Sequence, residues 1–198
     1  MKSIYLITAV LVAALSSCGN ASNTNSGGNA DSAGAKTAVA KEPTRSKLSE
    51  TGTNKLITVL GKYYALKNAL VATKAPDAGA AASGLQAATD SMLSFLKTDT
   101  TNGKSLRPYL DTIVTQCKVI ASFYDESCEK QRLAFGTISS AFYGLLKNAD
   151  LKNGHVYHEY CPMAFNDKGA FWLSDESEIK NPYFGKKMME CGEVIDSL

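Results

Sequence analysis

Between Leu56 and Ala149, apolar residues recur at intervals of three and four in four separate stretches, and this periodicity restricts the fold more than any other feature. Leu56, Val59, Leu60, Tyr63, Leu66 and Leu70 make one face of a first helix. A break at Lys74-Ala75 follows, with Pro76 suited to the first turn of a second helix whose stripe is Leu85, Ala88, Met92, Phe95 and Leu96. Thr100 to Gly103 reads as a turn. The third stripe is Leu106, Leu110, Ile113, Cys117, Ile120 and Tyr124, with Pro108 expected near the helix start, where it does least damage. A break near Asp125 precedes Cys128, Phe135, Ile138, Phe142, Leu145 and Ala149. Short connections force neighbouring helices antiparallel, so the expected class is all-α, an up-down four-helix bundle. The Ala-rich run from Ala78 to Ala88 predicts one close helix-helix approach.

After Asn153-Gly154 the helical pattern stops. From about residue 155 to 195 no helix or strand period lasts long. Pro162, Gly169, Pro182, Gly185 and Gly192 punctuate a Cys/Met-rich stretch, which predicts an irregular, turn-rich appendix on the bundle. Trp172, Phe171, Tyr183 and Phe184 would form its core, and Asp175 to Glu178 would open a short helix. Gln131 and Arg132 on the fourth helix are expected to bond carbonyls of this appendix, the alternative being a solvated face.

The N-terminus has a different character. Lys2 precedes an apolar run from Ile4 to Leu15, too short for a permanent span of about 20 residues and suited to a signal peptide over residues 1–17. Leu15-Ser16-Ser17-Cys18 resembles the lipobox of bacterial lipoproteins, which implies a lipid on Cys18 and a membrane tether. Gly19 in place of Asp points to the outer membrane, facing the periplasm. Residues 18–46 are Asn, Ser, Gly, Ala and Thr with almost no large apolar side chain, so they read as a flexible linker to the domain at 47–198.

Composition excludes several functions. With 21 Lys and Arg against 19 Asp and Glu, and no basic run, nothing points to nucleic acid. There is no phosphate-cradling Gly motif, nucleophile elbow or His-Glu-x-x-His, so no enzyme is expected.

Chemistry concentrates in sulfur. With Cys18 assigned to lipid, Cys117, Cys128, Cys161 and Cys191 remain, and four cysteines allow three connectivities in an oxidising compartment. Cys117 and Cys128 fall on apolar stripes beside the turn between the third and fourth helices and read as buried thiols, with a hairpin disulfide between them as the alternative. Cys161 and Met163 lie two apart, as do Met189 and Cys191, and in extended chain such pairs face one side. Thiolate and thioether favour Cu(I) over hard cations, and His158, three before Cys161, is a candidate nitrogen ligand that would also suit Zn(II). Met188 is the weaker candidate, and His155 reads as solvated. The alternative is a Cys161–Cys191 disulfide with two packing methionines; closing a loop of that size is worth on the order of 3 to 4 kcal/mol.

Cys161-Pro162-Met163, Trp172-Leu173-Ser174, Asn181-Pro182-Tyr183-Phe184-Gly185 and Met189-Glu190-Cys191-Gly192, with Gln131-Arg132 and Phe135, resemble the DUF3347 family over roughly Leu56 to Val194. Such domains occur alone, often as lipoproteins, and fused to periplasmic adaptors of heavy-metal efflux pumps. The resemblance implies copper or another soft metal as cargo and an efflux adaptor or pump as partner. The other expectation is a structural module docking on an efflux complex, with Cys161 and Cys191 oxidised and no metal bound.

Overall fold

The computed structural model describes residues 43–152 and 154–198. The expected signal peptide, Cys18 and nearly all of the linker lie outside these residues. Four helices form: α1 (Glu50–Val71), α2 (Ala75–Phe95), α3 (Thr100–Ser122) and α4 (Glu129–Ala149). Each packs on its neighbour in sequence, α1 on α2, α2 on α3 and α3 on α4, as short connections require. The caps follow from the sequence. Ser49 accepts a hydrogen bond from the Gly52 amide at 3.3 Å, Asp99 accepts one from the Asn102 amide at 3.1 Å, and Pro76 sits in the first turn of α2.

The predicted stripes face inward with few exceptions. All six residues of the first are buried, as are all six of the fourth. In α2 the buried positions include Ala78, Ala82 and Thr89, while Ala88 and Phe95 are only partly covered. In the Ala-rich run Gly79 faces α3, where an added Cβ would stand 3.9 Å from the Ala121 Cα, an ordinary contact distance. Tyr124 is 67% exposed, because α3 ends at Ser122 and the chain has already turned out.

The start of α3 differs from expectation. Thr100 to Gly103 is its first turn, so Pro108 lies inside the helix. Asp99 supplies the cap that starts it, and Pro108 is on the exposed face, so the helical bond it cannot make is lost beside water. Gly103 is required by packing: a Cβ there would come within 2.7 Å of the Leu96 carbonyl oxygen.

The C-terminal segment is ordered structure and not an irregular appendix, so the fold is not purely helical. Three strands, β1 (Tyr157–Cys161), β2 (Ala170–Ser174) and β3 (Glu193–Ser197), form an antiparallel sheet in the order β2-β1-β3. Strand periodicity was invisible in sequence because β2 buries four of its five residues and β3 exposes all five. Asp175 to Glu178 form bends and no helix, and Lys180 reaches Glu178 at 3.1 Å. Phe171 is 42% exposed, whereas Trp172 and Tyr183 are buried as expected.

Two polar anchors join sheet and bundle. The Tyr63 hydroxyl shares a hydrogen bond with Ser139 on α4 at 2.8 Å and accepts one from the Leu173 amide on β2 at 3.0 Å. Arg132 donates to the carbonyls of Pro182 (2.9 Å), Leu70 (3.1 Å) and Ser127, and to the Thr73 hydroxyl (3.0 Å). Gln131 Nε2 binds the carbonyls of Ala75, Ile120 and Phe123. Arg132 thus bonds the C-terminal segment as expected, whereas Gln131 does not: its amide is spent on the carbonyls of α2 and α3 inside the bundle. Gly185 closes this junction with φ +55, where a Cβ would stand 2.9 Å from the Val71 carbonyl. No described helix is long and apolar enough to cross a membrane.

Candidate functional site

β1 carries Cys161 as its last residue, paired with Ala170 across the strand. The chain then turns at Pro162, and Met163 has helical backbone angles, so the two-apart alternation assumed for Cys161 and Met163 does not operate. Phe165, Asn166 and Asp167 follow with φ of 55, 58 and 61. Left-handed backbone costs about 1–2 kcal/mol at an ordinary residue. Asn and Asp tolerate it best. Phe165 offsets it by packing edge-on against Tyr183, ring centroids 5.0 Å apart, and over Gly136. This tight reversal leads into β2.

The second arm arrives after β2, through Asn181 and a single 3-10 turn at Gly185–Lys187. Met188 through Glu190 are turn and bend, so Met189 and Cys191 are also not alternating residues of one strand. The arm nevertheless brings Cys191 to Cys161, with Sγ atoms 2.7 Å apart and no bond between them. That is well inside ordinary sulfur contact and approaches the 2.05 Å or so of a disulfide. Cys161 is fully buried, and Cys191 is partly exposed. Met188, Met189, Glu190 and Cys191 line an open depression with room for about 480 Å³. Burial, with Cys161 beside it, pushes the Cys191 thiol up to about 11, and the Met163 amide acts weakly the other way. Met163 is 45% exposed.

His158 does not join the sulfurs. Three positions before Cys161 on a regular strand, it points to the opposite face. Its ring stacks on Tyr143 at 4.1 Å and leans on Phe171 at 5.1 Å, and burial lowers its pKa. Among the described residues no three His, Cys, Asp or Glu side chains come together at metal-binding spacing. A soft ion at Cys161 and Cys191 would therefore complete its shell with methionine sulfur. Two sulfurs at about 2.3 Å from one ion sit about 3.8 Å apart at the tetrahedral angle, so the pair would have to open by about 1 Å.

Cys117 and Cys128 are buried and unbonded, and burial pushes the Cys117 thiol up to about 12. His155 is exposed.

The face of the sheet that carries Cys161 holds groups the sequence reading missed. Glu159 is 0% exposed, and neither carboxyl oxygen has a hydrogen-bond partner among the described residues. Trp172, its cross-strand neighbour, lies close enough for its N–H to favour the carboxylate, but short of ordinary hydrogen-bond geometry. Lys67 on α1 is buried as well and donates to Ser174 Oγ at 2.9 Å and to Asp175 at 3.4 Å. Burial raises Glu159 to about 7; Lys67 opposes the shift, and Asp175 and Glu176 add to it. A signal for Lys67 was present: four after Tyr63 and three before Leu70, it falls on the buried stripe of α1.

Fold and site together define a four-helix domain capped by a small sheet that holds a close thiol pair. Residues 59–154 match the model of the family described as a protein of unknown function, DUF3347, and this segment belongs to that family. The match ends before β1, so the Cys-Pro-Met, Asn-Pro-Tyr-Phe-Gly and Met-x-Cys-Gly motifs lie beyond it. No curated protein and no solved structure matches the chain.

Proposed function

We propose that the reduced protein binds one soft cation, Cu(I) being the best chemical match, through Cys161 and Cys191 with methionine sulfur from Met189 and Met163. One observation carries this reading: two cysteines 30 residues apart meet beside a depression lined by Met188 and Met189. Thiolates and thioethers are soft donors, and Cu(I) is the first-row ion they select best. Zn(II) fits less well, because His158 faces away and a closed tetrahedral set is not assembled. With a lipid on Cys18, the domain would handle metal at the periplasmic face of the outer membrane, with an efflux adaptor or pump as partner.

The 2.7 Å sulfur separation favours a second reading, in which Cys161 and Cys191 are oxidised and the domain is a cross-linked adaptor module. Titration of reduced protein against a Cu(I) indicator separates the two. Wild type is expected to take one equivalent, and the Cys161→Ser, Cys191→Ser double mutant none. If both leave the indicator's copper untouched, the metal reading fails and the adaptor remains. Binding that survives the double mutant would move the ligands elsewhere, with Cys117 and Cys128 the next pair to test.

A further inference from the structure

The arm from Met188 to Gly192 has no regular hydrogen-bonding pattern of its own, yet it must deliver one sulfur to a buried partner. Its backbone is held largely by a single residue. Asn181 is 0% exposed and uses every polar atom it offers toward the arm and its approach. Its amide N–H donates to the Met189 carbonyl at 2.8 Å, and its Nδ2 donates to the Cys191 carbonyl at 2.6 Å. Its Oδ1 accepts from the amides of Tyr183 (2.8 Å) and Phe184 (3.1 Å), which fixes the turn leading into the arm. On the other side Gly192 lies against the rim of the Trp172 ring, where a Cβ would stand 2.7 Å from Cη2.

We infer that Asn181 is a positioning residue for the thiol pair: through Nδ2 it holds Cys191 opposite Cys161 and so sets how readily the two sulfurs act together. This rests on the pair being the working site. The two ends of the side chain have separable tasks. Oδ1 builds the local turn, a structural role. Nδ2 reaches ten residues along the chain to the Cys191 carbonyl, where it restricts the backbone that bears the sulfur. Releasing that carbonyl lets the arm sample more conformations, and each must be given up again when the sulfurs bond. The effective concentration of one thiol at the other then falls.

Asn181→Asp separates the tasks. The carboxylate still accepts from the Tyr183 and Phe184 amides, which keep it ionised at pH 8, but it repels the Cys191 carbonyl instead of donating to it. The measurement is the equilibrium of the full chain with glutathione disulfide at pH 8. In it, two protein thiols and one glutathione disulfide give one protein disulfide and two glutathione thiols. Alkylation and mass spectrometry follow Cys161 and Cys191 apart from Cys117 and Cys128. Asn181→Asp is expected to lower the equilibrium constant for the Cys161–Cys191 bond about tenfold, which is about 30 mV in potential, with the helical circular dichroism unchanged.

If Asn181→Asp fails to fold, Asn181→Ser serves the same purpose, because its hydroxyl can accept in the turn but is too short to reach Cys191. A constant within twofold of wild type in the folded variant would overturn the inference. So would a wild-type protein that forms no Cys161–Cys191 bond at any glutathione ratio. The readout needs no copper. A wild type that ignores Cu(I) removes the metal reading alone, and an unmoved potential in a copper-binding protein removes only the role of Asn181.

Discussion

Glu159→Gln should flatten a pH dependence of stability that the buried carboxyl imposes. Glu159 is fully buried on the face of β1 that carries Cys161, near Lys67 but without a hydrogen bond to either oxygen. Burial raises its pKa from 4.5 to about 7, against the pull of Lys67. The folded protein therefore keeps a proton that the unfolded chain releases between these values. Where the native state binds more protons, stability falls as pH rises. The contribution is fully present below about pH 4.5 and is lost as pH rises through about 7. A shift of about 2.5 units at about 1.36 kcal/mol per unit makes the loss about 3 kcal/mol. His158 acts in the opposite direction: its pKa is lowered by burial, so its contribution is present above the unfolded value of 6.5 and is lost as pH falls through the folded one. Both proteins keep His158, so the difference between them isolates residue 159. Urea unfolding of reduced, metal-free wild type and variant at several pH values between 4.5 and 8.5 is the assay. The variant's stability relative to wild type should rise by about 3 kcal/mol across the range. Any constant offset reflects how well Gln fits and does not bear on the argument. Curves that run parallel to within about 0.5 kcal/mol would show that Glu159 is ionised at no cost, and the account of its burial would be wrong.

Arg132→Ala should cost about 3 kcal/mol in chemical unfolding, because it removes charge-assisted bonds to the buried carbonyls of Leu70 and Pro182 and leaves that of Pro182 unpaired, while Leu70 keeps the Thr73 amide; a loss under about 1 kcal/mol would show the clamp to be incidental. Cys18→Ser should release the protein from the membrane fraction on cell fractionation, and mass spectrometry of the wild type should show a lipid-modified N-terminal cysteine. An unmodified mature N-terminus would end the lipoprotein proposal.

The helices were legible because their determinants are local. A stripe at three and four and a Pro in its first turn act within about one or two turns of chain. Pro108 was misplaced for the same reason. Steric preference argued for a helix start, whereas the Asp99 cap and an exposed position let the helix run through it. The sheet was hidden because alternation appears only where one face is buried and the other wet. Here β2 is covered on both faces and β3 on neither. The arms of the site were read as extended chain, but Met163 and Met189 both lie in turns, and His158 was joined to sulfurs that lie on the other face of its strand.

By itself the sequence determined the four helices, their order, their buried faces and the concentration of sulfur near the C-terminus. All of these follow from residue spacing. It left three cysteine connectivities open, and only the tertiary structure brings Cys161 and Cys191 to within 2.7 Å of each other. Cys161 stands at the end of a strand whose register is set by β2, and Cys191 hangs from Asn181 on an arm anchored to α4 through Arg132. Their meeting depends on contacts between segments as much as 110 residues apart, and no local pattern encodes such distances.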